Sequence, residues 1–256
     1  MQIAPDTIDD LGVQGTLQLA ALLKTSRERM PLAPTKAAAW EVLGNLKRLG
    51  LVDAPHPDAE VGPSYHHTPM ESLPWRFTWT AYIEDQVLPA LLDYLRQLDR
   101  DEPALDLRVS AWREIALWEA QSFLEDQLVR HHFDVNWARD LSFVYHHAHP
   151  ELSIGQWRYV AWAAVRHGAS VAQRLGTNAS DHVREGIFKQ LQSRIPYARS
   201  TWAASFGGPP GPPKSSLSRI FACDLCSLDQ YFWTAPPAPE HLFSGRKARS
   251  RCAAAP

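Results

Sequence analysis

The stretch Leu43-Gly44-Asn45-Leu46-Lys47-Arg48-Leu49-Gly50-Leu51-Val52 decides the reading of the N-terminal third. Leu43, Leu46 and Leu49 recur at helical spacing, Gly50 readily closes a helix in the left-handed conformation, and Leu51-Val52 opens an extended apolar run. Upstream, Trp40 extends the same apolar face and Thr35 offers a hydroxyl to the unpaired amides of a first turn, so a helix is predicted over Lys36–Leu49. A Pro-containing segment, Met30–Pro34, separates it from an earlier amphipathic helix over Val13–Lys24. Downstream, the Pro- and Asp-rich Asp53–Gly62 reads as a turn, and Pro63–Thr68 as a returning strand with Tyr65 and His67 on one side.

Beyond Pro74 the periodicity is helical. Ile83, Val87, Leu91, Leu95 and Leu98 make one stripe, and Val109, Trp112, Ile115, Ala116 and Phe123 a second; Trp137, Leu141, Val144, Tyr145 and Ala148 form a third. The clearest helix is Ile154–Leu175, whose start, Ser153-x-x-Gln156, is a capping box. Another is predicted from Asp181 to Ile195, ended by Pro196. Gly207–Ser216, with Gly-Gly-Pro-Pro-Gly-Pro-Pro, lacks the amide donors a helix needs and reads as a linker or exposed loop, and from Pro236 the composition is that of a disordered tail.

The Leu43–Val52 string resembles the end of the recognition helix and the first wing strand of MarR-like and PadR-like winged helix-turn-helix proteins. Gly62-Pro63-Ser64-Tyr65-His66-His67-Thr68-Pro69 is similar to their second wing strand. The likeness covers roughly residues 10 to 72. The expected architecture is mainly α: a winged helix-turn-helix with a small β-wing over 1–74, a helical bundle over 75–206, a Pro/Gly-rich loop with a short Cys-x-x-Cys segment over 207–235, and a tail over 236–256. The resemblance implies duplex DNA binding, with Thr35, Lys36 and Asn45 facing the groove, Ser26, Arg27 and Arg29 before the helix, and Lys47 or Arg48 at its end. Against that stand Ala37, Ala38 and Ala39 in the leading turn, where a sequence reader presents long polar side chains, and Asp53, Asp58 and Glu60 in the wing, which repel phosphate. A winged helix used for protein contact or dimerisation is the competing expectation.

Composition narrows the classes. A chain of 256 residues, 45% hydrophobic and 21% charged with ten Trp, is that of a folded protein rather than a disordered one. A net charge of -2 lacks the basic excess typical of phosphate binders, and three Cys are too few for a disulfide framework. With no apolar run of membrane length and an acidic start, the expectation is a cytoplasmic protein without membrane attachment. Walker, dinucleotide, nucleophile-elbow and His-Glu-x-x-His patterns are all missing from the sequence.

Three constellations could carry chemistry. Histidine pairs stand at His66-His67, His131-His132 and His146-His147, the last followed by His149; adjacent residues diverge by about 100° on a helix, so ordinary surface or packed histidines are the plainer reading. Arg139-Asp140-(x5)-His146 resembles the Arg-x(4 to 6)-His signature of HEPN ribonucleases. That resemblance implies Arg139 at the scissile phosphate, His146 in proton transfer, a metal-independent cleavage of RNA and a dimeric site. Cys223-x-x-Cys226, with His241 and Cys252 downstream, could offer four ligands for a tetrahedral zinc ion, but isolated thiols are the plainer reading and no cofactor is expected. The run Arg246, Lys247, Arg249 and Arg251 is basic enough to touch an acidic surface. The favoured expectation is a DNA-binding regulatory or accessory protein whose helical part makes a homodimer or partner contact. A protein-interaction subunit and a helical ribonuclease are the alternatives.

Overall fold

The computed structural model describes residues 5–54, 75–98, 102–147, 152–177, 181–199, 201–204, 206 and 213–243. In chain order these form α1 (Ile8–Glu28), α2 (Lys36–Arg48), β1 (Val52–Asp53), β2 (Arg76–Phe77), α3 (Glu84–Gln97), α4 (Glu102–Arg130), α5 (Arg139–His147), α6 (Ile154–Leu175) and α7 (Asp181–Ser193). Five short helices follow: α8 (Ile195–Ala198), α9 (Thr201–Ala204), α10 (Ser216–Ile220), α11 (Tyr231–Thr234) and α12 (Pro239–Phe243). A 3-10 turn, Val135–Ala138, leads into α5, and a π-helical turn, Phe221–Leu225, continues α10. The protein is mostly helical, as predicted. It divides into two compact units, Met1–Ala111 with Pro212–Asp229 and Gly245–Pro256, and Trp112–Gly211 with Gln230–Ser244, the division falling within α4.

The first unit is built on α1. Its start is a capping box in which the Thr7 hydroxyl accepts from the Asp10 amide and the Asp10 carboxylate from the Thr7 amide at 3.0 Å. Gly12, with φ +63°, breaks the regular spiral just beyond. Every residue from 15 to 23 is buried, because α2, α3 and α10 pack around the helix. The expected one-sided amphipathic helix over Val13–Lys24 is therefore longer, and buried on all sides; Thr16 and Gln18 lie inside with the leucines.

Both predicted ends of α2 are present. Thr35 Oγ1 accepts from the Ala38 amide at 3.1 Å. At the other end Gly50 has φ +71°, its amide bonds Lys47 O at 3.0 Å, and the Leu51 amide reaches back to Leu46 O at 3.1 Å. That is a Schellman closure, sealed by the fully buried Leu46 and Leu51. β1 pairs antiparallel with β2, Val52 opposite Phe77 and Asp53 opposite Arg76, the latter an ion pair at 3.5 Å. The strand expected at Pro63–Thr68, with Asp58, Glu60, His66 and His67, lies outside the described residues.

Pro89 sits inside α3, where its missing amide leaves Asp85 O without its helical donor. Arg27 of α1 supplies one instead, donating from Nη2 to Asp85 O at 3.0 Å. Arg27→Ala is expected to cost about 1 kcal/mol in urea unfolding, and much less when Pro89 is also Ala, because the helix then satisfies the carbonyl itself. Equal costs in the two backgrounds would remove this role.

Residues 213 to 216, expected to be exposed loop, are folded into the first unit. The first amides of α10 bond the α1–α2 connection, Ser216 N to Pro31 O at 2.8 Å and Leu217 N to Leu32 O at 3.0 Å. Ser215 caps the Ser218 amide, and the buried Ser216 hydroxyl accepts from Thr25 Oγ1 at 2.9 Å. Small hydroxylated side chains satisfied by one another and by a backbone amide let a polar-looking segment go inside.

In the second unit the helical hairpin of α6 and α7 organises a core of Trp157, Val160, Ala164, Ile187 and Leu191, joined by Leu141 and Tyr145 of α5. α6 has the predicted bounds, with Ser153 and Gln156 in the capping box and Gly176 at φ +68° ending it. Pro196 does more than end α7: it lies in the first turn of α8, where its missing amide is harmless. The chain from Pro236 to 243, expected as tail, forms α12 and buries Leu242.

Candidate functional site

The residues expected to face DNA surround α2, and most are engaged within the fold. Thr35 is buried as the N-cap. Arg27 is turned to α3, with the Asp85 carboxylate also 3.9 Å away. Arg29 closes α1 in the left-handed region at φ 54°, its amide on Thr25 O. Ser26 Oγ donates to Leu22 O at 3.4 Å, on its own helix. Lys47 Nζ donates to Ala54 O at 2.5 Å, and Arg48 Nη2 donates to the Asn45 side-chain oxygen. Lys36 is half-buried.

The residues that α2 exposes are Ala37, Glu41, Lys47 and Arg48, and the half-buried Gly44 falls on one row with Ala37, Glu41 and Arg48, at spacings of four, three and four residues. A Cβ added at Gly44 meets nothing within 4 Å, so the middle of this row is open. The surface combines small side chains with a central carboxylate.

Arg139 and His146 lie on α5 in the second unit, both exposed, with exposed Phe143 between them on the same face. Seven residues set them about 10 Å apart along the axis. Asp140, which follows the arginine, is held by Arg184 of α7 through two hydrogen bonds of 2.9 and 3.0 Å. His147 stacks on Phe143 with ring centroids 3.9 Å apart, and its Nδ1 lies 2.8 Å from Phe143 O. His146 meets the Tyr145 ring edge-on at 5.9 Å.

Cys226 is buried and Cys223 half-buried at the π-helical turn of the first unit, beside Asp224, which accepts from Arg96 at 2.6 Å. His241 belongs to the second unit, and Cys252, His149 and the basic run 246–251 lie outside the described residues. Among the described residues no three His, Cys, Asp or Glu side chains stand together as a metal site.

A cluster that the sequence reading passed over lies along the outer side of α6. The Arg158 guanidinium stands 4.7 Å from the Phe123 ring centroid and 5.6 Å from that of Trp233, its Nε buried with no hydrogen-bond partner. Burial lowers its pKa, while Glu119 and Asp126 act in the opposite sense. Arg166 covers the Trp162 ring at 4.8 Å, and Trp162 in turn meets Phe206 at 5.2 Å. The sequence signal was available: α6 contains three Arg and no Asp or Glu.

Near this cluster on α4, Glu125 is half-buried, and its pKa is pushed up to about 7 by burial, with Asp126 adding to the shift. Its proton stays on in the folded chain between about pH 4.5 and 7 while the unfolded chain has lost it. Its contribution to stability is therefore full below that window and disappears as pH rises through it. Glu125→Gln should flatten this dependence and gain about 1 to 2 kcal/mol at pH 8, allowing for solvent screening. Urea melts at pH 5 and 8 check this; a wild-type-like slope in the variant would refute it.

Among described residues no helix is long and apolar enough to cross a membrane. Comparison of the chain with protein-family models, with curated proteins and with solved structures finds no match.

Proposed function

We propose that the chain is a protein-interaction subunit whose N-terminal elements form a winged-helix-like scaffold turned to protein contact instead of the DNA groove. The observation that supports this is the row Ala37, Glu41, Gly44 and Arg48 of α2, of which only the last is basic and beside which Lys47 is exposed. A major-groove reader needs several long polar side chains along that row to reach base edges. Here two positions are small and one is acidic, while Arg27 and Lys47 are bonded to backbone carbonyls and Arg48 to Asn45. A low row with an open centre instead lets another surface approach the helix closely.

A salt titration with a random duplex tests the proposal. The expected result is no association at 50 mM salt that depends on Lys36, Asn45 or Arg48; binding that falls steeply with salt and is lost on their replacement would restore the DNA reading. For the interaction itself, Gly44→Arg is expected to leave the thermal melt unchanged or slightly raised, since nothing lies within 4 Å of its Cβ and Arg is the better helix former, while reducing any self-association seen by sedimentation.

A second reading, metal-independent ribonuclease activity, has one observation in its favour: Arg139 and His146 share an exposed face of α5. Cleavage of mixed RNA that survives His146→Ala unchanged would exclude that residue from the chemistry.

A further inference from the structure

We infer that the outer row of α6, running through Arg158, Trp162, Arg166 and Arg174, is a binding surface for single-stranded nucleic acid. The inference is independent of the role assigned to α2. An ordinary solvated helix carries both charge signs, as α7 does with its Glu185–Lys189 pair at 2.6 Å. α6 has 22 residues without one carboxylate, while arginines recur every eight positions, about 12 Å apart along the axis and each turned about 80° from the last, so that the row runs diagonally across the outer side. Trp162 lies midway between the first two, at one i+4 step from each.

The arginines are presented in different ways. Arg166 and Arg174 are exposed, and among the described residues neither makes an ion pair; Arg174 Nε donates to Ser170 O of its own helix at 3.3 Å. Arg158 is stacked between Phe123 and Trp233, which fixes the plane of its guanidinium and leaves Nε unpaired. With Nε buried, its terminal nitrogens are the donors left to meet a phosphate oxygen, and the Glu119 and Asp126 carboxylates also act on this guanidinium.

The rings decide between nucleic acid and an acidic peptide. Trp162, Phe206 and Phe123 are half-buried and adjoin the row, with Trp162 and Phe206 centroids 5.2 Å apart and Phe123 and Phe206 6.5 Å apart. A row of arginines alone would serve carboxylates equally well. Arginines interleaved with half-buried aromatic rings, Arg158 lying over Phe123 and Arg166 over Trp162, match a strand that offers phosphates and unstacked bases in turn. A duplex keeps its bases stacked inside and gains nothing from the rings.

Fluorescence anisotropy with labelled 20-mers of uridine and of deoxythymidine, added to the full chain at 50 and 200 mM NaCl, tests the proposal. Both strands should bind, with a slope of log K against log salt near about -2, as expected for three arginine contacts on a single strand. Binding of one sugar only would also support the surface and would identify which nucleic acid it takes. Arg166→Glu should weaken binding about tenfold with an unchanged melt, whereas Lys189→Glu, the same charge change on α7, should leave it unaltered. No binding at 50 mM NaCl would overturn the inference. So would equal losses in both variants, which would reduce the effect to net charge, or full displacement of the strand by polyglutamate at matched charge.

Discussion

Replacing Gly155 by Ala is expected to destabilise the second unit by about 3 kcal/mol or more. Ala is the better helix former by about 1 kcal/mol, so on propensity alone the change should help. The position forbids it. A Cβ at residue 155 would stand 2.0 Å from the carbonyl oxygen of Ala204 and 3.3 Å from that of Trp233. Both obstacles are main chain, from α9 and α11, and cannot swing away as a side chain would. Accommodating the methyl requires α6 to move off its two neighbours, and overpacking of this kind outweighs the propensity gain. Gly44→Ala provides the contrast, because its Cβ meets nothing and the same chemical change should stabilise by up to about 1 kcal/mol. Urea unfolding of the two variants gives the comparison; a Gly155→Ala protein as stable as the parent would mean that the α6 N-terminus is not held against those carbonyls.

Gly168→Ala is the second large effect, and its obstacle is of a different kind. The new Cβ would fall 2.4 Å from Cγ1 and 2.7 Å from Cδ1 of Ile187, where α6 and α7 come closest. Ile187 is buried, and its side chain has little room to retreat. A cost of about 2 kcal/mol is expected. Shortening the opposing residue should recover part of it. In Ile187→Ala, which removes both Cγ1 and Cδ1, the Gly168→Ala change should cost clearly less than in the parent, a coupling readable from a double-mutant cycle. Additive losses would place the strain elsewhere.

These two contacts also mark where sequence reading stops. The bounds of α6 were legible because a capping box, an unbroken 3.6-residue period and a terminal Gly all agree over 22 residues. For the same reason α2 was legible, with Thr35 and Gly50 at its ends. The true start of α1 was missed because it rests on Thr7 and Asp10, polar residues outside the apolar stripe. Its burial on every side was missed because that depends on α10, which arrives from almost 200 residues away. Ser215 and Ser216 looked like loop because composition does not reveal that Pro31 O, Leu32 O and Thr25 await them.

The candidate sites show the same division. The DNA-facing set was chosen by position on a helix, whereas whether an arginine is available depends on what lies opposite it. For Arg27 the deciding residue is Pro89, visible in the sequence but informative only once α3 is known to pack against α1. The Arg158 row was open to direct reading, since the absence of acid from 154–175 needs no structure. It went unnoticed because the apolar period of that helix drew attention to its buried side.

We propose above that α2 faces protein rather than DNA. It is tested most directly by titrating a labelled random duplex with the parent and with Lys36→Glu/Arg48→Glu in parallel, at 50 and 200 mM NaCl. Superimposable curves are expected for the two proteins at each salt concentration if neither side chain serves as a DNA contact. A parental curve that tightens at low salt and collapses in the double variant would contradict it.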